Sequence, residues 1–324
     1  MAEAIGATED AAVRRVIAVQ KRTCIAGRGT RLSQVDVIRV AATRGGVTEA
    51  VHLVHAVAVR DGAVVAAAGE PGLVAYFRSS AKPLQALPLA RARDDLDERD
   101  LAIASASHLA SPEQLEAVRA LLWKAPATEH DLECGHEPTR LEHNCSGKHA
   151  GMLALCRARG WPLEGYRLPG HPVQQGCLAE VAAAAEVDPA TIPTATDGCG
   201  VVTFGLTLER MAHAFSRLES LDAGARVAAA MRAHPELIRG PISADTLLMR
   251  TLPGWTAKGG AEGLLCAAGA GGLGVALKCA DGSPRGLEQA LHAFLATLGV
   301  DLPGVAPEAL RNSRGELVGE LAVL

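Results

Sequence analysis

The chain has 324 residues, a formal net charge of -4, 48 % hydrophobic residues and 3 % aromatics. That length is ample for a large buried core, and the composition excludes collagen-like, coiled-coil and disordered classes. An acidic, aromatic-poor chain also offers neither a phosphate-tracking face nor a stacking platform, so no nucleic-acid partner is expected.

Residues 1–35 alternate charged and small residues without an apolar period and read as a loosely ordered N-terminal extension ahead of a domain spanning 36–324. They contain no apolar run followed by a small-residue cleavage site, and no stretch of the chain reaches the roughly 18 apolar residues of a membrane span. The expected compartment is the cytoplasm, where the eight cysteines stay reduced and serve as metal ligands or small buried hydrophobes. From Asp36 the sequence turns strand-like: VDVIRVAAT, VHLVHAVAV, the turn Arg60-Asp61-Gly62 and AVVAAAG predict a hairpin. FRSSAKPLQALPLARA predicts a helix with Pro83 in its first turn. DLAIASAS predicts a strand, and SPEQLEAVRALLWKA a helix capped by Ser111 and opened by Pro112, with Leu115, Val118 and Leu122 on one face. NCSGKHAGMLALCRARG and HPVQQGCLAEVAAAAEV predict helices, the second ended by Asp188-Pro189. TDGCGVVTFGLTLERMAHAFSRL predicts a turn, a strand and a helix. TAKGGAEGLLCAAGAGGLGVALKCADGSPRG predicts strands joined by tight turns, and LEQALHAFLATLG a last helix before a tail. One mixed α and β unit is expected.

Only six of the 32 basic residues are lysine. Burial neutralises a lysine but in practice not an arginine, so each lysine asks for a reason. Lys82 closes a Ser-x-x-Lys motif with Ser79, in which a buried amine would act as base toward a hydroxyl; the same string also reads as a helix start with a surface lysine. Arg78 beside it reads as an anion clamp or a surface charge. Lys148 sits in Asn144-Cys145-Ser146-Gly147-Lys148-His149, a glycine turn before a helix, where backbone amides favour anions. Cys199, in Asp197-Gly198-Cys199-Gly200, supplies a thiol that shares a metal with the first turn or simply packs. Lys258 lies among residues with almost no side chains in AKGGAEG, which permits close approach of a substrate or of backbone. Ser107-His108 adds a hydroxyl and an imidazole, and Lys278 precedes the turn Ala280-Asp281-Gly282.

Taken in order, RGGVTEAVH, RSSAKPLQAL, ASASH, ECGHEP, NCSGKHAGMLA, YRLPGHPVQ, TDGCGVVTFGL, HPELIRG, AKGGAEG, GVALKCADGSPR and RNSRGELVG resemble the asparaginase II family of rhizobial-type L-asparaginases over about residues 40–320. The resemblance implies an α+β fold, a mixed or antiparallel sheet with flanking helices like that of serine beta-lactamases and glutaminases, and a homodimer. It implies hydrolysis of L-asparagine to L-aspartate and ammonia. Ser79 and Lys82 fall on the family's first serine and lysine pair, with Ser79 the nucleophile, and Ser107 and Lys258 on the second pair. Cys145, Lys148 and Cys199 fall on its zinc site, while Arg78, His108, His149 and Asp197 line the pocket. The chain departs from the family at Leu109-Ala110-Ser111-Pro112-Glu113-Gln114, where polar donors are expected, and in a shortened stretch between Pro138 and His143. The alternatives are a glutaminase or other small-amide or lactam hydrolase on the same scaffold, or a non-catalytic relative that binds an amino acid or zinc.

Overall fold

The computed structural model describes residues 36–136, 138–303 and 307–324; the expected extension at 1–35 lies outside them. Strands β1 (Ile38–Arg44), β2 (Val47–Arg60) and β3 (Ala63–Ala68) follow the predicted pattern. The β2–β3 link is a two-residue turn in which Asp61 and Gly62 have φ of 50° and 76°, the left-handed pair that matches the twist of a hairpin. After β4 (Val74–Tyr76), a 3-10 turn (Arg78–Ala81) runs into α1 (Lys82–Gln85) and α2 (Leu87–Ala92), each with a proline in its first turn.

The segment expected as the strand DLAIASAS is instead α3 (Glu98–Ala104). Its apolar run is as consistent with a buried helix as with a strand, and the ends decide: Asp97 accepts from the Asp100 amide while Asp100 reaches back to the Asp97 amide, a reciprocal cap available only to a helix. Helix α4 (Pro112–Lys124) starts on the predicted Ser111 cap, again as a reciprocal box with Gln114. Helices α5 (Ser146–Arg159) and α6 (Pro172–Ala185) follow, then β5 (Thr194–Thr196), β6 (Val202–Thr207) and α7 (Leu208–Ser216). The sequence reading missed α8 (Gly224–Ala233), α9 (Pro235–Ile238) and α10 (Ala244–Thr251). Strands β7 (Thr256–Gly260), β8 (Leu264–Gly269) and β9 (Leu273–Cys279) precede α11 (Leu287–Thr297). What reads as a tail forms β10 (Glu308–Arg311) and β11 (Leu317–Val323).

The main sheet is antiparallel throughout, in the order β10-β11-β1-β2-β9-β8-β7, with β3 also paired to β2. This is the expected α+β architecture with flanking helices. Residues Ala56 to Val59 of β2 are buried on both faces, because α7 packs on β2, β8 and β9 while α11 packs on β1, β2, β9 and β11. A smaller sheet, β4-β6-β5, joins the 3-10 turn to the rest. Among the described residues no helix is long and apolar enough to cross a membrane.

Candidate active site

The 3-10 turn at 78–81 is the hub of the site. Phe77 donates its amide to Phe204 O (2.7 Å) and Arg78 to Thr203 Oγ1 (3.1 Å), so β6 fixes the chain on entry. Arg78 takes φ of 48°, a conformation that costs a non-glycine residue on the order of 1 kcal/mol or more and persists only where its surroundings enforce it. Its Nε donates to Asp197 Oδ1 at 2.6 Å, and Gly198 N donates to the same oxygen at 2.9 Å. Asp197 stays ionised: burial pushes its carboxyl up, but Lys148 and Arg78 outweigh this and hold it below the usual range.

Lys82 is fully buried. Its Nζ lies 2.9 Å from Ser107 Oγ and also donates to Ala106 O. Burial pushes its pKa down; Cys145 pulls against this and the Lys148 cation adds to it. The direct serine partner of Lys82 is thus Ser107, across the pairs that the motifs suggest. Ser107 is buried at the end of the segment after α3, with its amide on Ile238 O (2.6 Å). Ser79 is half-buried, and its hydroxyl has no hydrogen-bond partner among the described residues. Ser80, beside it, is occupied structurally, donating to Lys258 O at 2.8 Å.

Lys258, also fully buried, donates to Gly259 O (2.7 Å) and stands 3.6 Å from Asp245 Oδ2. Burial lowers it to about 7; Asp245 opposes the shift, and Lys82 and Arg239 reinforce it. The glycines of AKGGAEG are used for close approach: a Cβ on Gly260 would sit 2.9 Å from Ser80 Oγ.

A third lysine meets the thiols. Lys148 Nζ lies 3.0 Å from Cys199 Sγ, and Cys145 hydrogen-bonds the same sulfur, which with Lys148 lowers the Cys199 thiol to about 4. Burial pulls Lys148 down, yet Cys199 and Cys145 outweigh it and raise its pKa. Cys145 and Lys148 come from the start of α5, which closes on α3 because Gly147 has no Cβ; one there would lie 2.2 Å from Ile103 O. Two sulfurs and an amine on two turns are a donor set that zinc accepts once its protons leave. Cys145, Lys148 and Cys199 therefore fit the metal by their donor types.

The two histidines are fixed as neutral donors. Ala110 N donates to His108 Nδ1 (3.1 Å), and Ser146 Oγ, which donates to Leu141 O (2.7 Å), accepts from His108 Nε2 at 2.8 Å. Burial, then the Lys82 and His143 charges, lower His108 to about 4. Tyr166 Oη accepts from Glu133 N (2.8 Å), so its own proton goes to His149 Nδ1 (2.6 Å). His149 Nε2 is then a buried N–H with no partner among the described residues. The altered segment at 109–114 enters this constellation only through the Ala110 amide and with no side-chain donor: Leu109 is exposed, and Gln114 ties the start of α4 to Glu236 O and Arg239 O (2.9 and 3.0 Å).

Sequence comparison places the chain in a known lineage. The profile of the L-asparaginase II family matches residues 40–323. The chain belongs to that family. An L-asparaginase II chain is an amide hydrolase, and its substrate class is a small-molecule amide. No curated protein matches the chain. Among solved structures, SurE with D-Leu is 14 % identical at a TM-score of 0.41, covering 84 % of this chain and 82 % of its own. Mglu in its glutamate form is 12 % identical at 0.36, covering 78 % and 62 %. The L-asparaginase II reading of the motifs left three participants unassigned. Asp245, the counter-charge of Lys258, lies in a segment for which the sequence carries no motif. Tyr166 and Ser146, which orient His149 and His108, sit within quoted motifs but carry no local sign of a histidine partner.

Proposed function

We propose that the protein hydrolyses L-asparagine to L-aspartate and ammonia, with Ser79 as nucleophile, Lys82 as its base and Ser107 as proton relay. The observation that carries this reading is the buried Lys82 amine, depressed by burial and bonded to Ser107, three residues after a half-buried, unengaged Ser79. Residues three apart on a helical turn share a face, so the amine bonded to Ser107 stands on the same face of the turn as Ser79. Ser79 Oγ attacks the side-chain amide carbon and its proton passes to Lys82. The C–N bond breaks as that proton returns to the departing ammonia, and water resolves the ester in the reverse sense.

Arg78 and Asp197 suit the two ends of an amino acid. Arg78 uses Nε on Asp197 and has Nη1 4.0 Å from the exposed Glu262 carboxylate, leaving Nη2 for the substrate carboxylate, and Asp197 keeps Oδ2 for the ammonium. His149 Nε2–H is a free buried donor for a substrate oxygen. Lys258, with its value of about 7, is the second switchable amine. Cys145, Lys148 and Cys199 would hold zinc, which when bound supplies a positive centre that orients the substrate.

Ammonia release from asparagine and glutamine tests the reading. Asparagine should be favoured about 10–200-fold, the range one methylene supplies. Ser79→Ala and Lys82→Ala should each lower kcat by about 10²–10⁴, and Lys82→Arg should be as damaging as Lys82→Ala, because a guanidinium does not give up its proton. Normal turnover by Lys82→Arg would sink the mechanism.

A further inference from the structure

Away from the lysines, the end of β9 gathers three metal-binding atom types that the proposed chemistry does not use. Cys279 lies opposite Val54 in the β2–β9 ladder, and His52 is two residues before Val54. Alternation along a strand therefore puts the imidazole and the thiol on the same face, as diagonal neighbours. The chain then turns at Asp281-Gly282, where Gly282 takes φ of 79°, and the Asp281 carboxylate folds back over both. Asp281 Oδ2 lies 2.7 Å from His52 Nδ1, and Oδ1 lies 2.9 Å from Cys279 Sγ and accepts from Ser283 N at 2.8 Å. One nitrogen of His52, the sulfur of Cys279 and one oxygen of Asp281 all lie within 4.8 Å of one another.

We propose that His52, Cys279 and Asp281 form a three-ligand site for a divalent cation of zinc type, separate from the Cys145, Lys148 and Cys199 group. The donor types select the ion: a thiol excludes magnesium and calcium, whereas sulfur, imidazole and carboxylate together suit Zn2+ or Co2+. The spacing agrees. Tetrahedral ligands of zinc stand about 3.3–3.6 Å apart; the contacts of 2.7 and 2.9 Å to the two Asp281 oxygens fall short of that by less than about 1 Å, and the ligand atoms all lie within 4.8 Å of one another. The charge agrees too, since a thiolate and a carboxylate neutralise one divalent cation.

Burial and access complete the picture. His52 and Cys279 are buried, and His52 Nε2 has no hydrogen-bond partner among the described residues. The imidazole therefore spends its only polar contact on this cluster, at a desolvation cost that an apolar residue would avoid. The Asp281 side chain is 47 % exposed, which gives an ion its way in and leaves a fourth position for water. A bound ion would pin β2, β9 and the turn into α11 to one another.

The test is a Co2+ titration of the metal-free, full-length protein carrying Cys145→Ser and Cys199→Ser, which removes the thiols of the other donor group. One equivalent should bind with thiolate-to-cobalt absorption that Zn2+ displaces. Adding Cys279→Ser should abolish that absorption, and Asp281→Asn or His52→Gln should weaken Co2+ binding by about tenfold or more. Elemental analysis of zinc-loaded, dialysed protein gives an independent readout in the otherwise unaltered chain, which should hold one equivalent more than its Cys279→Ser variant. A folded double-serine protein without thiolate-to-cobalt absorption, or equal zinc in the unaltered and Cys279→Ser proteins, would overturn the site. Neither readout involves ammonia release, so both stand apart from the proposed amide hydrolysis.

Discussion

Lys148 and Lys258 are both buried lysines in glycine-rich motifs, and the fold drives them in opposite directions. Lys148 Nζ sits 3.0 Å from a thiol that is itself lowered to about 4, and its pKa rises. Lys258 has a carboxylate 3.6 Å away, yet falls to about 7. Burial acts on both. The difference lies in the neighbours: Cys199 and Cys145 converge on Lys148, with Asp197 beyond, whereas Lys258 has one close counter-charge in Asp245, a weaker pull from Cys145, and is pushed down by Lys82 and Arg239. One lysine is thereby held as a charge, and the other is free to gain and lose a proton near neutrality. The lesson is that a buried lysine's role follows from its count of facing charges, not from its burial.

The comparison breaks most visibly if the Lys148 counter-charge is removed. Cys199→Ser replaces a thiolate by a hydroxyl that does not ionise, leaving a buried cation partly uncompensated. Loss of one partner of a buried pair costs about 3–5 kcal/mol, and that loss is expected in urea unfolding of the metal-free variant at pH 7. A loss below about 1 kcal/mol would mean that Lys148 sheds its proton as readily as Lys258, and the contrast would collapse.

Asp245→Asn sharpens the other half. Asp245 raises the Lys258 pKa against burial, so its loss moves the amine further down. If the free amine of Lys258 is needed for turnover, kcat/KM rises with pH through about 7 in the unaltered enzyme, and the variant's acid limb should lie lower by about one pH unit or more. Stability gives the same sign. The folded-state pKa of Lys258 is depressed below its unfolded value, so between about pH 7 and the unfolded value the unfolded chain binds more protons and stability rises with pH. Above pH 7 the amine is neutral with or without Asp245; below it, only the unaltered protein offers the ammonium a partner. The variant should therefore be more destabilised at pH 6 than at pH 8, by about 1 kcal/mol or more. An unmoved acid limb with equal destabilisation at both pH values would show that Asp245 only braces the Gly259 amide, which it also accepts from at 3.0 Å.

How much of this the sequence discloses depends on the range of the interaction. Signals that act within four residues are legible: the Asp61-Gly62 turn, Pro83 in its first turn and the Ser111 cap all stand as expected. DLAIASAS misleads because seven apolar or small residues fit a strand or a buried helix equally well, and the deciding cap at Asp97 and Asp100 lies at the edge of the motif. Strand β11 is illegible because its partner, β1, is nearly the whole chain away; nothing in LVGELAV says that it pairs with VAATR. The lysine motifs identify which residues are unusual. They do not say which serine faces which amine, since the Lys82 to Ser107 contact spans 25 residues and crosses the pairing that the motifs suggest. Asp245 is invisible for the same reason: its partner Lys258 is 13 residues on, and the helix that carries the acid is itself missed.

The smallest expected effect serves as the control for both lysines. Ser111 Oγ accepts from the Gln114 amide at 3.3 Å and leads α4 from an exposed position. Ser111→Ala removes that cap and should cost about 1 kcal/mol in urea unfolding, partly offset because Gln114 Oε1 still accepts from the residue-111 amide, now at 3.1 Å. No charge changes, so the cost should be the same at pH 6 and pH 8, and the acid limb of kcat/KM should stay where it is. That flat response is what separates a purely local loss of helix stability from the pH-dependent loss expected of Asp245→Asn. A pH-dependent cost for Ser111→Ala would instead mean that α4 couples to the buried charges through His108, whose Nδ1 accepts from Ala110 N one residue before the cap.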